Sequence, residues 1–171
     1  MKSLTADLPS IYLKPGEFVI SDEPSVITTV LGSCVSVTMF SPRLKIGAIC
    51  HGLLPLCKDD GPCDNECGNG FRYVDCSVRL MLAEFRKKGV GSAEIEAKLF
   101  GGSDMFAPQD IRPGNLTVGR QNIDAAFKIC EQERVSVLKS DTGGMYSRKI
   151  IFFTHTGDVY VKRTEARSIR Q

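Results

Sequence analysis

The 171-residue chain has no apolar run approaching the roughly 20 residues a helix needs to cross a bilayer, so membrane insertion is not expected. Its start, "MKSLTADLPSIYLKPGEF", holds an early lysine but no continuous apolar stretch, and does not read as a secretory signal. Nor is the charge one-sided. Lys and Arg number 22 against 20 Asp and Glu, spread along the chain, and the formal net charge is +2. That balance leaves no basic footprint for nucleic acid. Histidine is scarce, with only His51 and His155. Paired C-x-x-C spacing is missing as well, although cysteine is not. Cys57, Cys63, Cys67 and Cys76 are separated by five, three and eight residues, which does not suit a structural zinc site. Seven cysteines without a secretory signal predict reduced thiols in a cytoplasm, with Cys76 on a buried helix face. "DTGG" at 141–144 lacks the following Lys-Ser/Thr of a phosphate loop and reads as a structural turn.

What is present suits one domain over residues 1–171, with an arm at 1–15 and a frayed tail at 164–171. Hydrophobic content of 42% and charged content of 25% are ordinary globular values, and the length can bury a real core. "EFVIS", "SVITTVL", "CVSVTMF" and "IGAICHGLL" are β-branched runs separated by turn residues. Residues 55–72, rich in Gly, Asp and Asn, form a loop. Val74, Val78, Met81, Leu82 and Phe85 fall at helical spacing, with Arg86, Lys87 and Lys88 in the last turn and Gly89 as the stop. "AEIEAKLF" is a strand running into the glycine turn "GGSDMF". A second amphipathic helix spans about 118–133, placing Ile123, Ala126, Phe127 and Cys130 on one face. "VSVLKS", "KIIFFTH" and "DVYVKRT" are three late strands, the last two joined by "TG". The pattern predicts a mixed α/β (α+β) layered sandwich of mainly antiparallel strands with two main helices, not a doubly wound parallel sheet.

"GSCVSVT" and "AICHG" place a thiol and an imidazole on adjacent strand candidates. Pro42 suits the second position of a β-turn. With Pro42 and Arg43 as a two-residue loop, opposed positions sum to 85, so Cys34 faces His51 directly with Cβ atoms ~5 Å apart. Val35, Val37 and Met39 then form the core face, and Cys34 and His51 lie on a more polar side. Three readings stay open at this level: a core cysteine, a redox or metal site, or a nucleophile with its base. The third has definite chemistry. A thiolate attacks, an imidazole moves its proton, and the N–H groups of the small-residue turn "LGS" converge beside the sulfur to hold an oxyanion. His155, beside the "TG" turn, is expected to be an exposed turn residue.

"TTVLGSCVSV", "GAICHGLLP", "GGSDMF", "GRQN" and "SDTGG" occur in the order found in the CheD family, and the resemblance spans residues 15–163. It implies a cytoplasmic deamidase that converts glutamines on the cytoplasmic helices of chemoreceptors to glutamates through a thioester, with no metal or organic cofactor. A fold similar to the catalytic domain of glutamine-deamidating toxins is implied too. Cys34 becomes the nucleophile, His51 the base and acid, and Thr28, six residues before the cysteine, the group that orients the imidazole. Thr29 beside it is an equal candidate by composition. The backbone N–H groups near Ser33 and Cys34 become the oxyanion site. Gly101, Gly102, Met105 and Phe106 become the surface meeting a CheC-type phosphatase, with Phe106 as its anchor. Two rival functions remain: a non-catalytic partner of such a phosphatase, and a thiol or metal sensor built on the loop 57–76.

Overall fold

A computed structural model describes residues 7–57, 70–104 and 114–165. In chain order the strands are β1 (Ser10–Tyr12), β2 (Phe18–Ser21), β3 (Val26–Leu31), β4 (Val35–Ser41) and β5 (Ile46–Cys50). Helix α1 (Val74–Lys87), β6 (Glu96–Gly101), α2 (Val118–Gln132), β7 (Ser136–Thr142), β8 (Tyr146–Phe153) and β9 (Val159–Glu165) follow. One sheet has the order β1-β3-β8-β9 and the other β2-β5-β4-β6-β7. Pairing is antiparallel except for β1 with β3 and β6 with β7, the latter bridged by α2 as a crossover. Both helices lie on the same face of the five-stranded sheet. The result is three layers, a mixed α/β layered sandwich of mainly antiparallel strands with two main helices, as the pattern predicts in its class though not in its number of layers.

Alternation along the strands divides the core in two. Val35, Val37, Met39, Ala97 and Leu99 face the helices and pack with Val78, Met81, Leu82, Phe85, Ile123 and Ile129. Ile27, Leu31, Ile49, Phe100, Ile150 and Phe152 fill the gap between the sheets, and Cys34 packs against them. The side that carries Cys34 and His51 is therefore a second core and not a wet face.

Three expectations are corrected here. Residues 10–12 of the presumed arm form β1, and Leu13 after them is fully buried. At the other end β9 continues through Glu165, which shortens the presumed tail. The third correction is the register. Ser41 pairs with Ile46 and Thr38 with Ile49, so opposed positions sum to 87, not 85. The loop is Pro42–Lys45, two residues longer than a tight hairpin. Lys45 takes a left-handed conformation, φ 58, and its N–H closes on the Ser41 carbonyl at 2.8 Å. Cys34 thus lies diagonal to His51, whose opposite neighbour is Ser36. A shift of two preserves the face because the side-chain period of a strand is two.

Candidate active site

His51 follows β5 directly, and its backbone is pinned on both sides. Its N–H donates to the Glu17 carbonyl at 2.9 Å, and its carbonyl accepts from Gly16 N–H at 2.8 Å. The ring points into the inter-sheet gap and is 2% exposed. There Nδ1 lies 2.7 Å from a threonine hydroxyl of β3. The hydroxyl belongs to Thr29. Thr28 is turned to the outer face of the four-stranded sheet, half-buried between Tyr12 and Ile151 on the neighbouring strands. Strand parity is the reason: Thr29 shares the inward side with Ile27 and Leu31, so Thr28 cannot.

The hydrogen-bond chain also fixes the tautomer. Thr29 Oγ1 donates to the Leu13 carbonyl at 2.9 Å, and a hydroxyl has only one proton. The contact with His51 is satisfied when Nδ1 carries the hydrogen and Thr29 accepts it. That leaves the Nε2 lone pair free to act as a base. Burial pulls the His51 pKa down to about 4, although the charge of Glu17 works the other way. Burial also raises the Cys34 thiol, opposed in part by its own backbone N–H. Burial therefore favours the neutral form of each group.

The turn bearing Cys34 is braced from behind by the two glycine motifs. Gly101 has φ +101, and a Cβ there would fall 2.2 Å from the Cys34 carbonyl oxygen, so only glycine fits. Gly102 N–H donates to Cys34 O at 2.8 Å and Ser103 N–H to Gly32 O at 2.9 Å. "SDTGG" meets this turn: Gly143 N–H donates to Gly101 O and Asp104 N–H to Gly144 O. Beneath both lies Arg148, fully buried. Its guanidinium donates to Asp141 Oδ1 at 3.0 and 3.1 Å, Ser103 Oγ at 2.7 Å and Gly143 O at 2.7 Å. A buried guanidinium needs this full set of acceptors to offset its lost hydration. From the helical side, Asn122 of "GRQN" donates through Nδ2 to Ser33 O and to Leu53 O, both at 3.0 Å. The N–H groups of Ser33 and Cys34 donate to no backbone carbonyl among the described residues, and that of Cys34 faces its own sulfur.

Thr29 and His51 are therefore bonded inside the inter-sheet gap, and Cys34 lies on the same side of the sheet, diagonal to His51. Gly101 and Gly102 are buried, holding the turn, and present no surface to a partner. Met105 and Phe106 lie outside the described residues, as do Cys63 and Cys67. Cys76 is disulfide-bonded, against the expectation of a reduced thiol. Among the described residues no cluster of His, Cys, Asp and Glu could hold a metal. No helix among them is long and apolar enough to cross a membrane. His155 is half-buried, with Nδ1 enclosed and unpartnered among the described residues, so it is not the exposed residue expected. It follows Phe153, which pairs with Val26 at the far end of β3 from Cys34. Sequence reasoning gave no part to Asn122, Ser103, Asp141 or Arg148. The polar residues inside the glycine-bearing motifs were the available signal, since a Ser, Asp or Asn beside a tight backbone approach has carbonyls within reach.

Residues 53–163 match the family model described as CheD chemotactic sensory transduction. "Probable chemoreceptor glutamine deamidase CheD 2" of Geobacter sulfurreducens is 49% identical over 164 residues, 94% of this chain and 96% of that protein. "Probable chemoreceptor glutamine deamidase CheD" of Maridesulfovibrio salexigens is 37% identical, over 94% of this chain and 95% of its own. The protein of the same name from Pyrococcus abyssi is 34% identical over 86% of this chain and 88% of its own. Among solved structures, the Bacillus licheniformis hypothetical protein YfiH superposes with a TM-score of 0.47 at 11% identity, covering 73% of this chain and 50% of that one.

Proposed function

The chain belongs to the CheD family, and from that premise and the geometry of its site we propose that it is a cysteine-dependent amidohydrolase converting chemoreceptor glutamines to glutamates. The observation that carries this reading is the relay from the Leu13 carbonyl through Thr29 to His51 Nδ1, which leaves Nε2 as a base on the face that bears Cys34. Any buried imidazole N–H needs an acceptor; what favours a base here is that the acceptor sits at Nδ1 and leaves the Nε2 lone pair to take a proton.

In the proposed sequence His51 Nε2 takes the proton from Cys34 as Sγ attacks the glutamine side-chain carbonyl. The N–H groups of Ser33 and Cys34 receive the oxyanion. His51 returns its proton to nitrogen, the C–N bond breaks, ammonia leaves, and a thioester remains. Water, giving a proton to the same Nε2, attacks the thioester. The C–S bond then breaks, sulfur regains a proton, and glutamate departs. A glutamate methyl ester would follow the same path with methanol leaving in place of ammonia. No step draws on a metal or an organic cofactor. The substrate is a cytoplasmic receptor helix, which places the protein in the cytoplasm. Its regulator, on the strength of the family resemblance, is a CheC-type phosphatase.

Incubation of receptor cytoplasmic fragments with the protein, followed by mass spectrometry, tests the reading. Wild type should exchange NH₂ for OH at particular glutamines, and Cys34→Ser should not, because a serine hydroxyl is far harder to ionise than a thiol. Undiminished conversion by Cys34→Ser would remove the nucleophile assignment.

A further inference from the structure

Three successive carbonyls in the turn bearing Cys34 are held from three directions. Gly32 O accepts from Ser103 N–H, Ser33 O from Asn122 Nδ2, and Cys34 O from Gly102 N–H. In a trans peptide the C=O and the following N–H point in opposite directions, and no cis bond occurs among the described residues. Fixing the Gly32 carbonyl therefore aims the Ser33 N–H, and fixing the Ser33 carbonyl aims the Cys34 N–H. The first hold is backbone, provided by the glycine turn. The second is a single side chain reaching from α2.

That side chain is fully buried, and its orientation is determined, because both of its partners are carbonyls and only the amide nitrogen can donate. One hydrogen holds the turn before Cys34, and the other holds Leu53, two residues past His51. Its Oδ1 is buried with no donor among the described residues. An unsatisfied buried acceptor is unfavourable, and a side chain present only for stability would not be expected to keep one.

We propose that Asn122 is a positioning residue of the active site. Its amide aims the Cys34 N–H at the developing oxyanion and ties the nucleophile's turn to the segment that follows the base. The inference rests on the deamidase reading above.

The test compares Asn122→Ala and the isosteric Asn122→Asp with wild type and with Lys128→Ala, an exposed position of the same helix. Melting curves establish that each variant is folded. For glutamine deamidation, kcat should fall roughly 10- to 100-fold with KM little changed, since the oxyanion exists only beyond the ground state. Alkylation of Cys34 by iodoacetamide displaces iodide and places no charge on a carbonyl oxygen. Its rate should therefore be preserved in both Asn122 variants, and the Cys34 amide resonance in a ¹⁵N spectrum should move. Lys128→Ala should change none of these. Unaltered kcat, alkylation falling in step with kcat, or an unmoved Cys34 amide would each overturn the proposal. If wild type converts no glutamine, the functional reading fails on its own. The Cys34 amide shift then decides the positioning claim: movement in both Asn122 variants supports it, and a fixed resonance overturns it.

Discussion

Replacing Thr29 by valine removes one oxygen from a site where two buried groups depend on it. The Leu13 carbonyl loses its donor, and His51 Nδ1–H loses its acceptor. A buried polar group left unpaired costs about 1–3 kcal/mol, and Val keeps the branched shape of Thr, so little else changes. For a domain of this size 1 kcal/mol moves Tm by about 2–4 °C, which predicts a fall of several degrees for Thr29→Val. The effect on rate has a separate origin. Without Thr29 nothing holds the proton on Nδ1, and the Nε2–H tautomer, which cannot act as base toward Cys34, becomes populated. Loss of one such hydrogen bond, about 1–2 kcal/mol, predicts turnover reduced roughly tenfold. Thr28→Val is the matched control. Its hydroxyl lies on the outer face, so stability should change by no more than about 0.5 kcal/mol and turnover should be kept. Both variants can be read by glutamate formation on a receptor fragment and by thermal melting. Loss of rate in Thr28→Val with a normal Thr29→Val would refute the assignment of the relay and the side of β3 that faces His51.

Other consequences can be checked with the same assays. Because burial holds His51 near 4 when folded, against ~6.5 unfolded, the unfolded chain binds the extra proton in that window. The stability contributed by neutral His51 is complete above about pH 6.5 and is lost as pH falls through about 4, at most about 3 kcal/mol in all. Urea titrations of wild type and His51→Gln should therefore converge toward acid, and parallel curves would clear His51 of the effect. The same neutrality predicts that kcat/KM holds down to about pH 5, and an acid limb centred near 6.5 would contradict it. Gly101→Ala forces a Cβ onto the Cys34 carbonyl at a positive φ, and should cost about 3 kcal/mol and most of the turnover. His155→Ala, at the far end of the sheet, should leave turnover as it was.

The strands and both helices were legible because their patterns are local. Val74 through Phe85 repeats at helical spacing and ends at Gly89, and the helix occupies Val74–Lys87. The alternation of "CVSVTMF" likewise separates Val35, Val37 and Met39 from Cys34, Ser36 and Thr38. What the far face meets is not local. A strand with serine, threonine and cysteine on one side reads as half-solvated, but a second sheet covers that side and makes it interior. Register failed for a related reason. Pro42 is equally at home in a two-residue and a four-residue loop, and only the left-handed Lys45 reveals the longer one. The choice of Thr28 over Thr29 rested on family spacing, and the hydroxyl bonded to His51 is that of Thr29. Spacing in sequence cannot settle which of two adjacent hydroxyls crosses a gap between sheets. Asn122 was invisible for the same cause, since its partners Ser33 and Leu53 lie 89 and 69 residues away.

Burial of the pair has a chemical consequence beyond its pKa values. With the thiol raised and the imidazole lowered, forming the ion pair before substrate arrives would place two charges in a gap lined by Leu13, Ile49 and Phe100. On the proposed mechanism, attack on a carbonyl changes that balance, because the charge leaving sulfur passes to an oxygen received by the N–H groups of Ser33 and Cys34. Proton transfer and bond formation are then favourable together and unfavourable apart. On the proposed mechanism, the relay through Thr29, the clamp by Asn122 and the glycine turn serve one requirement. They keep the geometry ready while the charges remain unformed until an acyl group fills the site.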